Sequence, residues 1–477
     1  MEHAIEFRGI TKRFSTVQAN DRISFAIRRG TIHAIIGENG AGKTTLMNIL
    51  YGLMAPEEGE IFLNGEKKVF RSAMDAISCG IGMVHQHFML IPRLCVADNV
   101  VLGIEPHDSV FYRRPEAIRK VEEVCQSYGI SIDPAAKVAD ISLGMRQRVE
   151  IVKALYRGAQ TIILDEPTAI LTPQEIDDLG KILFQLKRRG KTILIITHKL
   201  EEVMEFSDEI TVLRAGRHVI TVNKADTTIH ALTTYMVGRD VHLGGRKEQV
   251  AHSKTMLELN AVSSRKNGKN VLKDISITLY DGEILGIAGI DGSGQTELTE
   301  LIAGMLPCVT GSIRFNGVDI THASICTRKN AGLGFIAQDR HKHGLILGFS
   351  VEENLMLGLQ RKKQYRKNLF LLDKKAARTM AEARMTEFDI RPPYPSNKAS
   401  VLSGGNQQKV VVAREVGNKP LLIVADQPTR GVDIGAIESI HNTLVAHRNR
   451  GGSVIFSSLE LDEVLLLSDR VAVMCEG

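Results

Sequence analysis

With 477 residues, 43% hydrophobic and 24% charged, the chain has the balance of a globular protein and exceeds one ordinary core, so two or more domains are expected. No apolar run approaches the roughly 18–20 residues of a membrane span, and the opening MEHAIEFRGITKRF lacks a secretory apolar stretch. A net charge of +5 is too mild to select nucleic acid or an anionic membrane, and six scattered cysteines with no C-x-x-C pair point to a reducing compartment and away from structural zinc.

In chain order, the first strong signal is a β-branched apolar run, Thr31–Gly37, with the pattern of a buried parallel strand. It runs into GENGAGKT, a complete G-x-x-x-x-G-K-[ST] loop. Backbone N–H groups along Gly37, Glu38, Asn39, Gly40, Ala41 and Gly42, and the helix opened by Lys43, Thr44 and Thr45, suit phosphate binding. Lys43 is expected on the β- and γ-phosphates of ATP and the Thr44 hydroxyl on Mg²⁺; the bland alternative is a glycine-rich turn before a helix. Gln86, in MVHQHF, is weaker by itself because glutamines are common at strand ends; His85 and His87 read as structural. Residues 115–129 and 173–190 read as helices.

Between those helices, the strand TIILDE ends in Asp165 and Glu166. Asp165 is placed to hold the Mg²⁺ shell and Glu166 to polarise the attacking water, unless the pair merely caps a helix ahead of Pro167. The strand TILIITH ends in His198, a candidate γ-phosphate contact, although a lone histidine at a strand end is commonly just polar. A polar stretch follows, so the expected division is a domain over 1–240, a linker over 241–255 and a domain over 256–477.

The second domain repeats the first. GIDGSGQT, Gly289–Thr296, lies 252 residues after GENGAGKT, with Gln295 in place of Lys43. Gly80 to Gly332 is also 252, Asn99 to Asn354 is 255, and Ser142 to Ser403, Asp165 to Asp426 and Gly216 to Gly477 are each 261. A register that holds within blocks and jumps between them marks a duplicated domain. Strand-like runs EILGIAG, LLIVAD and SVIFSS sit at matching positions, so each half is α/β with ligands expected at the strands' carboxyl ends. The first copy continues past Gly216 to about Gly238, whereas the second stops at the matching glycine; either a final element is missing or it is dispensable.

The second copy also carries LSGGNQQK, Leu402–Lys409, against ISLGMRQR, Ile141–Arg148, in the first. With the phosphate loop and the DE-ended strand, this resembles the ATP-binding-cassette ATPases over essentially the whole chain. The resemblance implies two fused P-loop NTPase domains, each an α/β core with an antiparallel β region and a helical signature subdomain. Phe14, in TKRF, resembles the family's adenine-stacking aromatic. The tandem arrangement resembles importers of monosaccharides and nucleosides, and VHQHFMLIP, GMRQRVEIVKALYRGA and DRHKHGL are more similar to the nucleoside branch.

In that family the cassettes pack head to tail, each ATP lying between one phosphate loop and the other copy's signature. Site one would join Lys43, Thr44, Gln86, Asp165, Glu166 and His198 to Ser403, Gly404, Gly405 and Asp433. Site two would join Gln295, Thr296, Gln338, Asp426, Gln427 and Leu459 to Ser142, Leu143, Gly144 and Thr172. Every departure from the family pattern falls in site two, so one competent site and one that binds ATP weakly are expected. The resemblance further implies a pair of transmembrane permease subunits docking on helical segments within Phe88–Asn99 and Asp339–Asn354, an extracytoplasmic solute-binding protein, no nucleic acid, and a place on the cytoplasmic face of the inner membrane. The run Arg361–Lys367 reads as a solvated helix face, with anionic lipid as the alternative. A soluble tandem cassette acting on ribosomes or nucleic acid, and a nonhydrolysing ATP sensor or scaffold, are the other classes; a short linker and one damaged site disfavour the first, and the intact site one disfavours the second.

Overall fold

The computed structural model describes residues 2–14, 17–86, 88–108, 111–168, 171–248, 254–368 and 371–477. The chain divides into two compact units, Met1–Asp240 and Val241–Gly477.

In the first unit, a six-stranded sheet runs in the order Arg217–Asn223, Glu209–Arg214, Ile32–Ile36, Thr192–Thr197, Thr161–Asp165, Ile81–Val84. All neighbours pair in parallel except the edge strand Arg217–Asn223, which is antiparallel. The strands Ile32–Ile36, Thr161–Asp165 and Thr192–Thr197 are buried at every position. That explains their continuous apolar runs: both faces are covered, so neither alternates with polar residues.

Alternation still sorts the side chains by face. Ile162, Leu164, Ile193 and Ile195 join the helices Arg114–Tyr128, Leu143–Tyr156 and Pro173–Arg188 in one core. Ile163, Leu194 and Ile196 join a second core with Phe7, Ile23 and Ile61, from a four-stranded antiparallel sheet of Val17–Arg28, His3–Phe14, Glu58–Leu63 and Glu66–Lys68. The unit is therefore layered, with the parallel sheet in the middle.

The second unit repeats the plan. Its parallel sheet is ordered Leu333–Ile336, Leu422–Asp426, Ser453–Ser457, Ile284–Ala288, Arg470–Val473. Ile423, Val454 and Phe456 face a helical core, and Leu422, Val424 and Ile455 face a core built on the antiparallel sheet containing Thr255–Lys266. Residues 241–248, part of the expected linker, lie on this unit: the His242 N–H donates to Glu438, Lys247 to the Ser468 carbonyl and the Glu248 N–H to Asn449.

Three local expectations change. The run Arg361–Lys367 is not a helix face; it makes a short 3₁₀ turn at Lys363–Tyr365, because Tyr365 is drawn inward to pack with Met356 and Leu359. Residues 88–95 are not helical and turn at 92–94, before the six-residue helix Val96–Val101, where Asn99 is buried and bonds to the Ile91 backbone through both its oxygen and its nitrogen. After Gln338, a five-residue π-helical turn, Arg340–Gly344, precedes the helix Val351–Met356. Among the described residues no helix is long and apolar enough to cross a membrane.

Candidate functional site

Parallel pairing brings the chemistry of the first unit to one sheet edge. Thr197 pairs with Ile36 and Ile196 with Asp165, so Gly37, Glu166 and His198 follow their strands at the same level. The loop from Gly37 then turns into the helix Lys43–Leu50, whose N-cap is Gly42 at φ 94°. Only glycine suits that position: the backbone is left-handed, and a Cβ would stand 2.2 Å from the Ala19 carbonyl oxygen. Asn20 braces the turn, its amide donating to the Gly42 carbonyl at 3.1 Å.

The loop tip is open, with Asn39 and Gly40 exposed and Glu38 partly so, closed by the Ala41 N–H on the Glu38 carbonyl at 3.0 Å. Lys43 is buried and curls back, donating to the carbonyls of Gly37 at 2.6 Å and Glu38 at 3.0 Å. Burial pulls its pKa down, and Glu166 and Asp165 oppose that shift. Thr44 is exposed and Thr45 half-buried on the first helical turn. Phe14 stands 46% exposed at the end of its strand, in the hairpin whose return strand supplies Asn20, with the Lys12 ammonium 5.8 Å from its ring centroid.

Glu166 is held at φ 47°, a conformation costing about 1–3 kcal/mol for a residue with a Cβ. Its N–H donates to the Ile196 carbonyl at 2.8 Å, and its two carboxylate oxygens are met by Gln86 Nε2 at 2.9 Å and His198 Nδ1 at 3.1 Å. The structure thus gathers Gln86, Glu166 and His198 into one contact group. The hydrogen bond from His198 holds the Glu166 carboxyl below its usual range. Asp165 goes the other way: burial and the adjacent Glu166 charge raise it to about 6, with Lys43 and the Thr44 hydroxyl opposing.

A buried carboxylate, a hydroxyl and an amide oxygen are hard donors, so Asp165, Thr44 and Gln86 fit a magnesium ion. An acceptor kept ionised at Glu166, beside a cation at Lys43 and an array of loop N–H groups, can bind a polyphosphate and take a proton from water.

The matching edge of the second unit keeps the frame and Asp426 but has Gln295, Gln427 and Leu459 at the registers of Lys43, Glu166 and His198. Gly294 caps the helix Gln295–Ala303 at φ 104°, and Gln427 repeats the left-handed strand end at φ 44°, its N–H on the Ser457 carbonyl at 2.9 Å. Gln295 is buried and its amide reaches only the Ile290 carbonyl, at 3.2 Å. Thr296 donates to Gln338 at 3.3 Å, and Ser457 donates to Asp426 at 2.6 Å. Burial raises the Asp426 carboxyl, with Ser457, Thr296 and Thr299 opposing. Leu459, at the register of His198, is 40% exposed and offers no hydrogen bond.

Each signature opens a helix. Ser142 caps Leu143–Tyr156, accepting the Met145 N–H at 3.2 Å, and Ser403 caps Gly404–Val416, accepting the Asn406 N–H at 3.4 Å. Gly405 is buried against Asp433, which caps the next long helix.

One feature of the first signature escaped sequence reading. The Glu175 carboxylate accepts from the Gly144 N–H at 3.2 Å and the Ser142 hydroxyl at 3.3 Å, so a side chain already fills that helix end. Its signal was the capping box Thr172-x-x-Glu175, which places Glu175 on its own helix's first turn.

The family profile described as "ABC transporter" matches twice, over residues 20–169 and 272–430, covering both phosphate loops and both acidic strands. The chain belongs to the ABC transporter family. Its ABC relatives span the full length. A Bacillus subtilis protein named "Guanosine import ATP-binding protein NupO" is 45% identical over 100% of this chain and 94% of its own. "Nucleoside import ATP-binding protein NupA" of Lactococcus lactis subsp. cremoris is 43% identical with the same coverage. "Glucose import ATP-binding protein TsgD13" of Haloferax volcanii is 42% identical over 100% and 92%. Among solved structures, a nucleotide-free ATP-binding cassette from an ABC transporter aligns to 47% of this chain and 92% of its own at 24% identity, TM-score 0.42. As an ABC ATPase, the chain binds ATP.

Proposed function

We propose that this ABC ATPase drives a nucleoside importer through one competent ATP site. On the first cassette Lys43, Thr44, Gln86, Asp165, Glu166 and His198 form that site, and in the second cassette's signature Ser403, Gly404 and Gly405 are nucleotide ligands in this reading. The observation that carries this reading is the contrast between the two sheet edges: Glu166 is held by Gln86 at 2.9 Å and His198 at 3.1 Å, while Gln427 and Leu459 provide neither a base nor its partner. Random decay of the second copy would also have spoiled LSGGNQQK, which is intact.

In this reading the loop N–H groups and Lys43 bind the β- and γ-phosphates, and Phe14 stacks on the adenine. Magnesium held by Thr44, Gln86 and Asp165 would neutralise phosphate charge. Glu166 accepts a proton from the attacking water, and His198 keeps the carboxylate oriented and contacts the γ-phosphate. Site two keeps Thr296 and Asp426 and holds ATP weakly as a clamp. Removing one preorganised group costs about 10²–10³-fold in rate, so the losses at Gln295 and Gln427 leave site two without turnover.

ATP binding and hydrolysis drive alternating access in a permease pair seated over Phe88–Asn99 and Asp339–Asn354. An extracytoplasmic binding protein delivers solute, no nucleic acid takes part, and the subunit sits on the cytoplasmic face of the inner membrane. Nucleoside is supported by the two relatives at 45% and 43% identity, and a sugar by the one at 42%. The test is Glu166→Gln in the assembled transporter. ATPase should fall below about 1% of the parent, and activity near the parent's refutes the assignment. Uptake of labelled guanosine against labelled glucose by the parent complex decides the solute class.

A further inference from the structure

Each phosphate loop has a hairpin beside it, and the two hairpins match residue for residue. Phe14 ends the strand His3–Phe14 opposite Val17, and Lys266 ends Thr255–Lys266 opposite Lys269. Phe14 and Lys266 are 252 residues apart, the same interval as the loops. A lysine therefore stands in the second unit where the first has its candidate adenine platform.

The surroundings of that lysine change with it. Its ammonium donates to Glu300 at 2.9 Å and lies 3.7 Å from Glu297. The two carboxylates are one turn apart on the helix Gln295–Ala303, at positions held by the neutral Asn48 and Thr45 in the first unit. Phenylalanine, asparagine and threonine in one copy are thus exchanged, in the other, for a lysine set between two glutamates. The hydrogen bond to Glu300 raises the pKa of Lys266 above its usual value, so the ammonium stays charged.

The cluster belongs to the loop's own space. Lys266, Glu297 and Glu300 line one cavity of about 360 Å³ with Gln295, Thr296 and Gln338, so a ligand on the second loop meets all of them. That volume is at the low end of small-molecule sites. Two rings also reach the wall, but neither comes from the hairpin: Phe335 packs against the core under the antiparallel sheet, and His343 belongs to the turn Arg340–Gly344. A base stacked on an aromatic ring gains about tenfold or more in affinity. An ammonium already bonded to a carboxylate offers no flat apolar face in its place. What it does offer is charge: two carboxylates beside a phosphate loop would repel a polyphosphate, and Lys266 offsets them.

We propose that the second phosphate loop is a triphosphate site that leaves the base unheld. It takes ATP, other nucleoside triphosphates and inorganic triphosphate alike, and Lys266 serves by neutralising Glu297 and Glu300 rather than by stacking. This rests on the reading above in which Phe14 stacks on adenine and site two holds ATP weakly. Occupancy of the clamp then follows the total triphosphate supply, while the first loop answers to ATP.

The experiment uses the full chain with its first loop silenced by Lys43→Ala and Thr44→Val, and measures binding of ATP, CTP and inorganic triphosphate in magnesium buffer by calorimetry. The three should bind within about threefold of one another. Lys266→Phe in that chain should favour ATP over inorganic triphosphate by about tenfold, and Lys266→Ala should weaken all three together. On the chain with both loops intact, inorganic triphosphate should displace the weaker of two bound ATP molecules and spare the tighter. If the silenced chain binds ATP more than about tenfold tighter than inorganic triphosphate, whichever ring supplies the difference, the proposal is overturned and site two remains a nucleotide site. If the silenced chain binds none of the three, and the intact chain binds a single ATP, the reading of site two itself fails and the proposal falls with it.

Discussion

Replacing Asp165 by asparagine should stabilise the nucleotide-free protein while destroying its metal-dependent function. Asp165 is 6% exposed, and its carboxyl is raised from 3.8 to about 6 by burial and by the charge of Glu166. At about 1.4 kcal/mol per tenfold, ionising it in place costs on the order of 3 kcal/mol at neutral pH. Asp165→Asn removes that charge, keeps an oxygen for the Thr44 hydroxyl, and should raise the melting temperature of the first unit by about 5–10 °C at pH 7.5.

The sign can be checked with pH. The folded-state value lies above the unfolded one, so protonation of Asp165 stabilises the fold; that benefit is complete below about 3.8 and lost as pH rises through about 6. The advantage of Asp165→Asn should therefore shrink steadily between pH 7 and pH 4. The assay is thermal unfolding of the purified full chain across that range, with magnesium-dependent ATP binding measured in parallel. A variant that melts below the parent at pH 7.5, or gains as much at pH 4.5 as at pH 7.5, would refute the reasoning.

Other perturbations have equally definite outcomes. Gly42→Ala adds a Cβ 2.2 Å from the Ala19 oxygen at φ 94°, so a loss of more than about 2 kcal/mol is expected, together with loss of fluorescent-ATP binding. Arg328, 2% exposed, donates to the carbonyls of Leu301 and Ile302 at the end of the second copy's phosphate-loop helix and to those of Thr321 and Ala323 in the turn after the strand Val318–Asp319. Arg328→Met should cost about 2–4 kcal/mol in melting of that unit, whereas the equivalent position of the first copy is Ala76 and carries no such dependence. Glu175→Ala breaks a capping box and should lower stability by about 1 kcal/mol without changing ATPase at site one.

Much of the site was legible because its parts are local. A glycine-rich loop, a DE-ended strand and a histidine-ended strand each state their chemistry within eight residues, and an internal repeat supplies a second reading of the same fold. Less local features were not. Nothing near Glu166 in sequence says that its backbone must be left-handed; that follows from its N–H reaching the Ile196 carbonyl on the neighbouring strand. Arg361–Lys367 carries a charge run that suggests a helix, but burial of Tyr365 with Leu359 and Met356 decides otherwise.

The amino-acid sequence by itself determined the duplication, the α/β class, the family and which phosphate loop is chemically whole, because identity and spacing along one chain encode all four. Only the tertiary structure decided what surrounds each signature helix. Glu175 lies 31 residues from Gly144, and Arg340, whose guanidinium packs against Gly404, lies 64 residues before it. Contacts over such separations depend on how helices and turns pack, which spacing along the chain does not encode.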